Sequence, residues 1–318
     1  MSKKALGNIL LILTALIWGL AFVAQKKGMD LIGPFTFNGV RFVIAALALI
    51  PVALISIRAD RKKLSGKSEA LSEDEEDTPF TEEHPAGKRR DILMGGLCCG
   101  IVLFVASSFQ QIGLAYTSAG KGGFITAFYI VLVPVLGIII GRKIRPIIWL
   151  CVVLAVFGLY LICIKEDFSI GKGDLLVLGC ALSYAVHILV IDHYSPRVNG
   201  VLLSLLQFIV VGIVSIPFIA GLETVNTDDL LACWLPLCYV GIMSSGVGYT
   251  LQIVAQRYTE PAVASLLMSL ESVFAVLGGW VILHEVLTMK EFLGCAVMFL
   301  AIILSQLPSK KQRVDLNR

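Results

Sequence analysis

The chain contains one pattern twice, and this internal repeat restricts its possible folds more than any other feature. Thr117 recurs as Thr259, 142 residues later, within a shared Tyr-Thr pair. Gly7 recurs as Gly173, 166 residues later, at the start of an apolar segment. The two offsets differ because a charged insertion, 58–90, lies inside the first copy and has no counterpart in the second. The sequence therefore predicts two related halves, of which the first is interrupted.

The composition places both halves in a membrane. Hydrophobic residues make up 57% of the chain before its 29 glycines are counted, whereas about 45–50% including glycine is usual for soluble domains. A helix needs about 20 apolar residues to cross a bilayer. Ten such windows occur: 7–25, 34–57, 92–114, 122–140, 147–164, 175–191, 201–221, 231–254, 262–283 and 292–307. We therefore predict an all-α polytopic membrane protein with ten transmembrane helices.

The number of windows in each half fixes the relation between the halves. Each half holds five windows, so the second half must enter the membrane in the opposite orientation to the first. We predict two inverted five-helix repeats, at 7–164 and 173–307, followed by a cytoplasmic tail at 308–318. Inverted repeats of this kind are typical of secondary transporters.

The distribution of lysine and arginine predicts the orientation in the membrane. If the amino terminus is cytoplasmic, 19 of the 26 basic residues lie on the cytoplasmic side and five lie outside. An even number of spans then returns the carboxy terminus to the cytoplasm. The net charge of +3 describes these loops, so it gives no indication of nucleic-acid binding. We predict a multi-pass protein of the plasma membrane, in contact with membrane lipids.

The insertion at 58–90 is strongly charged and almost without apolar residues. It carries an acidic run at 73–77 and a second cluster, Glu82-Glu83-His84. Such a segment cannot bury enough surface to offset the entropy lost on ordering. We predict a disordered cytoplasmic segment, with a metal-binding or regulatory role for the second cluster as the alternative.

The cysteines and glycine-rich stretches do not form a cofactor motif. All eight cysteines lie in or beside apolar windows, and none has the spacing of a zinc site or of a disulfide framework. The stretch that ends in Gly120-Lys121 lacks the first glycine and the following Ser/Thr of a phosphate-binding loop. We therefore predict no metal and no cofactor.

Polar residues inside the windows predict a cavity. The fifth and tenth windows are almost wholly apolar around their circumference, which suits peripheral helices. The other eight carry polar side chains, which predicts an inner ring of eight helices around a polar cavity. The candidate cavity or gating residues are Trp18, Asn38, Arg41, Gln110, Lys121, Tyr129, His187, Gln207, Tyr249, Gln252, Ser269 and Glu271.

Arg41 and Glu271 are the most informative of these candidates. A charge near the middle of a bilayer costs about 2.5–3.5 kcal/mol on insertion scales, so both must face protein or water. Arg41 aligns with Gln207 in the repeat and Glu271 aligns with Tyr129, so each charge belongs to one half only. This asymmetry favours a cavity for a polarised ligand. The alternative is that the two charges pair, or bind backbone carbonyls, to hold helices together. Glu285, near the outer end of its span, is predicted to be structural.

The remaining candidates each have two interpretations. Lys121 can extend to the membrane surface as an anchor or contact a substrate. His187 can relay protons or serve as a hydrogen-bonded residue of a packed helix. Trp18 and Tyr249 can stack on a ligand or pack between helices.

The two halves resemble EamA domains of the drug/metabolite transporter superfamily over nearly the whole chain. The stretches that carry the resemblance are Ala15-Leu-Ile-Trp-Gly19, Pro34 followed by Arg41, Tyr258-Thr-Glu-Pro-Ala262, Ser269-Leu-Glu271, Leu283-His-Glu285 and Thr288 to Gly294. The first half departs from the pattern at Arg142-Lys143, where many members have glycine-glutamate. The resemblance implies ten helices, a central cavity, alternating access, a bacterial inner membrane, and cavity or gating roles for Arg41 and Glu271.

We therefore expect a secondary-active transporter of small metabolites and no enzymatic activity. Amino-acid-like, amphiphilic or cationic compounds are the expected substrates, and export is the expected direction. A proton or an exchanged metabolite would supply the energy, since the sequence shows no nucleotide-binding motif. The alternatives are a nucleotide-sugar or sugar-phosphate exchanger, which requires several cavity cations, and an intramembrane enzyme acting on lipids, for which Asp192 and His193 are the nearest candidates.

Overall fold

All regular structure in the described part of the chain is helical. The computed structural model describes residues 2–70, 89–117, 119–163, 171–282 and 288–307. The α-helices are α1 (Lys3–Met29), α2 (Pro34–Ala70), α3 (Arg89–Tyr116), α4 (Ala119–Thr126), α5 (Tyr129–Ile139), α6 (Pro146–Cys163), α7 (Lys172–Tyr194), α8 (Gly200–Leu222), α9 (Thr227–Ala232), α10 (Trp234–Cys238), α11 (Thr250–Gln256), α12 (Pro261–Met268), α13 (Glu271–Ile282) and α14 (Met289–Ser305). A π-helix, Tyr239–Tyr249, joins α10 to α11.

Eight helical segments in the described residues are long and apolar enough to cross a membrane. The eight segments overlap the first eight predicted windows, each with its ends within a few residues. The ninth window holds the shorter apolar stretch Pro261–Leu277, and the tenth holds α14, which has 17 residues. Helices are expected here because a bilayer offers no water to the backbone, so each segment must satisfy its own hydrogen bonds. The chain is thus a multi-span helical membrane protein. The predictions for Glu285 and for the tail at 308–318 lie outside the described residues.

Two spans are interrupted near their middle. The regular α-helix is interrupted at 127–128, between α4 and α5, and at 269–270, between α12 and α13. At each break the hydrogen bonding tightens: Phe128 donates to the Ile125 carbonyl at 3.1 Å, and Leu270 donates to the Leu267 carbonyl at 3.3 Å. The two breaks are separated by the offset that relates Thr117 to Thr259. Each break directly precedes a candidate residue, Tyr129 in one case and Glu271 in the other.

The π-helix brings its backbone close to α1 and α2 through glycines. A Cβ atom on Gly241 would lie 3.0 Å from the Arg41 carbonyl oxygen, and one on Gly248 would lie 2.6 Å from Trp18 Nε1. Neither position has room for a side chain. The close approach lets Trp18 Nε1 donate to the Ser244 carbonyl at 3.0 Å. π-Helical segments are rare and often lie at functional sites.

The fifth and tenth windows pack against each other. Their helices, α6 and α14, meet at Gly158 and Gly294, where a Cβ on Gly158 would lie 2.9 Å from the Gly294 carbonyl oxygen. Beyond this pair they contact the helices of the interrupted spans, α4, α5, α12 and α13. Large apolar side chains such as Val153 and Ile303 remain exposed, as expected where a helix faces lipid.

Helix α2 runs into the insertion at 58–90. Helix α2 continues to Ala70, beyond the predicted end of its window at residue 57. An existing helix extends at low cost, because each further residue adds a hydrogen bond without a new nucleus. The segment 58–70 also contains several good helix formers, among them alanine, lysine, arginine and leucine. The rest of the prediction, for 71–88, lies outside the described residues.

Glu223 caps the amino terminus of α2 from the end of α8. Its carboxylate accepts hydrogen bonds from the Phe35 amide at 2.8 Å and from the Thr36 amide and hydroxyl at 2.7 and 2.6 Å. A negative charge at a helix amino terminus is favourable because the exposed amides and the helix dipole are positive there.

We expect Glu223→Gln to destabilise the protein by about 1–2 kcal/mol, since an amide offers one acceptor oxygen and no charge. Thermal unfolding in detergent measures this. Asp229→Asn, an exposed acid in α9, is the matched control. An equal unfolding temperature for the two variants would show that the cap contributes nothing.

Candidate functional site

A small cavity of about 30 Å³, enough for about two water molecules, lies between the helices of the two halves. Seven of the twelve candidate residues line it: Trp18, Arg41, Gln110, Tyr129, Tyr249, Gln252 and Glu271. They come from six spans, so the cavity is formed by the fold as a whole and by no single helix.

Seven further lining residues were not among the candidates. They are Phe22, Gln25, Thr126, Tyr184, Ile188, Ser244 and Met268. Helical spacing from a candidate would have identified several of them. Phe22 and Gln25 follow Trp18 by four and seven residues, which places the three on one side of α1. Met268 precedes Glu271 by three residues across the break.

Arg41 reaches the cavity from α2 with most of its hydrogen-bonding capacity unused. Its Nη1 donates to Gln25 Oε1 at 2.9 Å, and its guanidinium carbon lies 4.8 Å from the centre of the Phe42 ring. Nε and Nη2 are buried and have no hydrogen-bond partner among the described residues. A buried guanidinium normally satisfies its donors. The geometry therefore leaves two adjacent N–H donors for an acceptor that enters the cavity.

Glu271 lies opposite, at the break between α12 and α13. It is the first residue of α13 and lies at the amino terminus of that helix. The Tyr129 hydroxyl donates to Glu271 Oε1 at 3.3 Å. Within the described residues no ion pair joins Arg41 to Glu271, although both are buried and line the same cavity.

Tyr129 and Glu271 are counterparts in the repeat, and they touch. Their positions differ by 142 residues, the offset of the second part of each half. Two equivalent residues that contact each other lie at the junction of the two halves. The two interrupted spans therefore meet at the cavity, which is where discontinuous helices of transporters place their ligand sites.

Aromatic residues and amides form the rest of the wall. The Tyr184 hydroxyl donates to Gln110 Oε1 at 3.3 Å and lies 2.9 Å from the Tyr249 hydroxyl. The Tyr249 ring packs against Trp18 with ring centres 4.9 Å apart. This wall offers apolar ring surface with hydroxyl groups at its edge, which suits an amphiphilic ligand.

Five candidates lie outside the lining of this cavity. Lys121 is held at the start of α4 by Asp174 of α7, with Nζ 2.5 Å from Oδ2. It is therefore neither a free membrane anchor nor a contact of this cavity. Little in the sequence indicates this pair, because Asp174 lies just before its apolar window, 175–191. Ser269, at the second break, donates its hydroxyl to the Leu266 carbonyl at 2.8 Å.

His187, Gln207 and Asn38 are buried in helix contacts. His187 Nε2 lies 3.0 Å from Gln207 Oε1, so each occupies part of the other's hydrogen-bonding capacity. Both side chains are fully buried. Asn38 is fully buried on α2, one turn from Arg41, and its amide has no partner among the described residues. These three residues pack behind the cavity wall in this structure.

The site has the chemistry of a binding cavity. In the part of the chain that the structure describes, no group of three or more His, Cys, Asp or Glu side chains could hold a metal ion. Asp192 pairs with Arg142, and His193 contacts Arg197 at 2.8 Å, so the enzyme candidates are both engaged in contacts at the end of α7. The cavity instead presents one cation, one carboxylate and several neutral polar groups. Such a set can recognise a small polar molecule that carries both charges.

Comparison with known proteins identifies the family. The model of the EamA-like transporter family matches the chain twice, at 5–164 and 171–307. An uncharacterized transporter of Archaeoglobus fulgidus is 32% identical over 311 residues, which cover 96% of this chain and 87% of the relative. The threonine/homoserine exporter RhtA of Salmonella typhimurium is 28% identical over 209 residues, which cover 59% of this chain and 69% of the relative.

The fold also has a counterpart among solved structures. A crystal structure described only as that of a protein superposes with a TM-score of 0.71 at 14% sequence identity, covering 94% of this chain and 96% of the other. At this identity the likeness concerns the fold alone. The two family matches span nearly all of the sequence and coincide with its two halves, so the chain belongs to the EamA-like transporter family.

Proposed function

We propose that this protein is a secondary-active exporter of small amino-acid-like metabolites that works by alternating access. The observation that carries the proposal is the pair of unlinked, buried charges, Arg41 and Glu271, in one cavity. A zwitterion would bind with its carboxylate at the two unused donors of Arg41 and its amino group toward Glu271. Charge-assisted hydrogen bonds of this kind are strong in a site that excludes water.

The proposal includes a membrane topology. Ten spans would form two inverted five-helix repeats, 7–164 and 173–307, with both termini in the cytoplasm of a bacterial cell and the protein in its plasma membrane. The equivalent breaks at 127–128 and 269–270 support this arrangement, since an inverted repeat places them on opposite sides of one axis. In this topology α1 and α3 end at the outer face, and α2, α4 and α7 begin there.

Alternating access would move one half against the other around the cavity. The two interrupted spans meet there through Tyr129 and Glu271, so a movement of either half changes the environment of Glu271. Glu271 would have one of two roles: it holds the amino group of the substrate, or it exchanges a proton that drives transport.

A nucleotide-sugar or sugar-phosphate exchanger is less well supported. Phosphate groups require several cations, and Arg41 is the single cation that lines the described cavity. Lys121, which the sequence offered as a second, is paired with Asp174. The uncharged and aromatic wall fits a small amphiphilic molecule better.

Flux through proteoliposomes tests the proposal. Vesicles are loaded with a mixed metabolite extract, and efflux is followed by mass spectrometry with and without an imposed proton gradient. We expect selective loss of a class of amino-acid-like compounds from wild-type vesicles. In Glu271→Gln we expect this efflux to fall at least about tenfold, the effect of losing one charge-assisted hydrogen bond in a buried site.

The two roles of Glu271 give different results in this experiment. If Glu271 exchanges a proton, the gradient stimulates the wild type but has no effect on residual flux in Glu271→Gln. If it holds the amino group, the variant binds substrate more weakly but keeps its response to the gradient. Asp229→Asn is the control for the loss of a carboxylate outside the cavity. Undiminished flux in Glu271→Gln, or no flux of any metabolite in a folded wild type, would contradict the proposal.

A further inference from the structure

Two contacts at opposite ends of the bundle are counterparts in the repeat. Thr117, after α3, donates its hydroxyl to Asp174 Oδ1 at 2.8 Å. Thr259, after α11, donates its hydroxyl to Asn8 Oδ1 of α1 at 3.4 Å. Thr117 and Thr259 differ by 142 residues, and Asn8 and Asp174 differ by 166, so the repeat offsets relate both partners of one contact to both partners of the other.

The glycines beside these contacts repeat the relation. A Cβ on Gly173 would lie 2.9 Å from the Gly113 carbonyl oxygen and from Tyr116 Cβ. A Cβ on Gly7 would lie 3.0 Å from the Ala255 carbonyl oxygen and 3.2 Å from Tyr258 Cβ. Gly113 and Ala255 are again 142 residues apart. The same close helix contact is thus built twice, once at each end of the bundle.

The chemistry of the two ends differs. At the outer end, the Asp174 carboxylate also binds Lys121 Nζ at 2.5 Å and the Gly171 amide at 2.7 Å. At the inner end, Asn8 is neutral and donates from Nδ2 to Gln306 Oε1 at 2.7 Å. The repeat counterpart of Lys121 at this end is Val263, which carries no charge. We call the set Thr117, Lys121 and Asp174 the outer latch, and the set Asn8, Thr259 and Gln306 the inner latch.

We propose that these two sets are the latches of alternating access, and that the ion pair of the outer latch biases the transporter toward the state that opens to the cytoplasm. The inference rests on the proposed function, because only alternating access requires one end to open while the other stays closed. A partly buried, charge-assisted contact is harder to break than a neutral one. The ion pair therefore adds to the stability of the closed outer end, and so favours the state in which the cavity opens to the cytoplasm, where an exporter collects its substrate.

The bias follows from differential stability alone. Both latches are formed in this structure, so opening either end breaks one of them. The equilibrium between outward-open and inward-open states then depends on the difference between the contacts broken at the two ends, which at the inner end also include the ion pair of Arg142 with Asp192. Removing charge from the outer latch, or adding charge to the inner latch, therefore shifts the equilibrium toward the outward-open state.

Amide hydrogen exchange of the full chain in lipid nanodiscs tests the inference without any substrate. In Asp174→Asn we expect exchange at the outer ends, 109–117 and 172–178, to become about fivefold faster, as expected for the loss of a charge-assisted hydrogen bond. We expect exchange at the inner ends, 4–10 and 252–259, to become slower in the same variant. This reciprocal slowing distinguishes a latch from a contact that only holds two helices together.

A second variant moves the charges to the inner end. In Lys121→Val/Asp174→Asn/Asn8→Asp/Val263→Lys the outer latch receives the neutral residues and the inner latch the charged pair. Relative to the wild type, we expect faster exchange at its outer ends and slower exchange at its inner ends. If this variant does not fold, the single substitution Asn8→Ala still tests the direction, since it removes both hydrogen bonds of the inner latch and should speed exchange at the inner ends and slow it at the outer ends.

The outcomes distinguish a failure of the latch inference from a failure of the proposed function. Faster outer exchange with unchanged inner exchange in Asp174→Asn would overturn the latch inference. Normal flux in proteoliposomes together with that result would leave the proposed function intact. Reciprocal exchange in a wild type that moves no metabolite would overturn the proposed function and support coupling between the two ends.

Discussion

Arg41→Gln is expected to lower the flux of the transported metabolite by about a hundredfold at substrate concentrations below half-saturation. Truncating one partner of a buried, hydrogen-bonded charge pair costs about 2–5 kcal/mol, and each 1.4 kcal/mol is a factor of about ten. The guanidinium offers Nε and Nη2 to the cavity without a partner among the described residues. Glutamine has the wrong length and no charge, so the substrate carboxylate would enter the cavity without a partner.

Arg41→Lys separates charge from geometry. Lysine keeps the positive charge but presents a single ammonium group, whereas arginine presents parallel N–H donors that match both oxygens of a carboxylate. We expect a loss of about tenfold, intermediate between the wild type and Arg41→Gln. The loss should appear as weaker half-saturation and not as a slower maximal rate, since the residue acts on binding.

Structural effects of the Arg41 variants can be measured directly. Arg41 also bonds Gln25 of α1, so its removal breaks a helix contact. The unfolding temperature in detergent reports that loss, and Arg197→Gln, an exposed arginine after α7, is the control for the loss of charge. Full flux in a folded Arg41→Gln protein would show that Arg41 only joins α1 to α2, and that the anionic group binds elsewhere.

The positions of the two central charges could be predicted from the sequence because their cost in a membrane is large. Arg41 and Glu271 interrupt long apolar windows, and only a cavity or a partner makes such positions tolerable. The same reasoning works for Tyr129, which the repeat aligns with Glu271. The cost of a charge within an apolar window and the internal repeat can both be recognised in the linear sequence. Neither requires knowledge of how the helices pack.

Features that depend on helix packing were not predicted. Lys121 and Asp174 lie 53 residues apart on different spans, and nothing in either window shows that the starts of α4 and α7 are neighbours. Tyr184 was not among the candidates, because its contact with Tyr249 depends on which side of α7 faces the π-helix. Which neighbour a side chain of a span faces depends on how two helices cross. A hydropathy pattern contains no information about that crossing.

The π-helix and the helix breaks were missed for another reason. Hydropathy is the same for an α-helix, a π-helix and a broken helix of equal composition. The sequence does contain a hint at Gly241–Gly248, where glycines allow the chain to approach α1 and α2. A glycine cluster predicts close approach but does not specify the hydrogen-bond register. The repeat offset, applied to the first break, would have located the second.

Gly19→Ala is expected to inactivate transport and to lower stability, because the added methyl group would collide with the backbone of α13. A Cβ on Gly19 would lie 2.5 Å from the Glu271 carbonyl oxygen and 2.9 Å from the Ala275 amide nitrogen. Backbone atoms of a packed helix cannot rotate away as a side chain can. The variant must therefore move α13 away from α1, and Glu271, the first residue of α13, moves with it.

The size of the effect follows from overpacking. An extra methyl group in a close-packed interior costs about 1–3 kcal/mol, which differential scanning or detergent unfolding detects as a lower midpoint. We expect flux to fall by more than the folded fraction does, since a displacement near 1 Å at a binding site weakens several contacts at once. Gly19→Leu should prevent assembly of the bundle.

Gly221→Ala is the matched control for Gly19→Ala. Gly221 lies near the end of α8, and a Cβ there would have nothing within 4 Å. Alanine is favoured over glycine in a helix by up to about 1 kcal/mol, so this variant should be as stable as the wild type or slightly more stable. If Gly19→Ala behaved like Gly221→Ala, with unchanged midpoint and flux, α1 and α13 would not be in close contact. Glu271 would then not be held in the cavity by the backbone of α1.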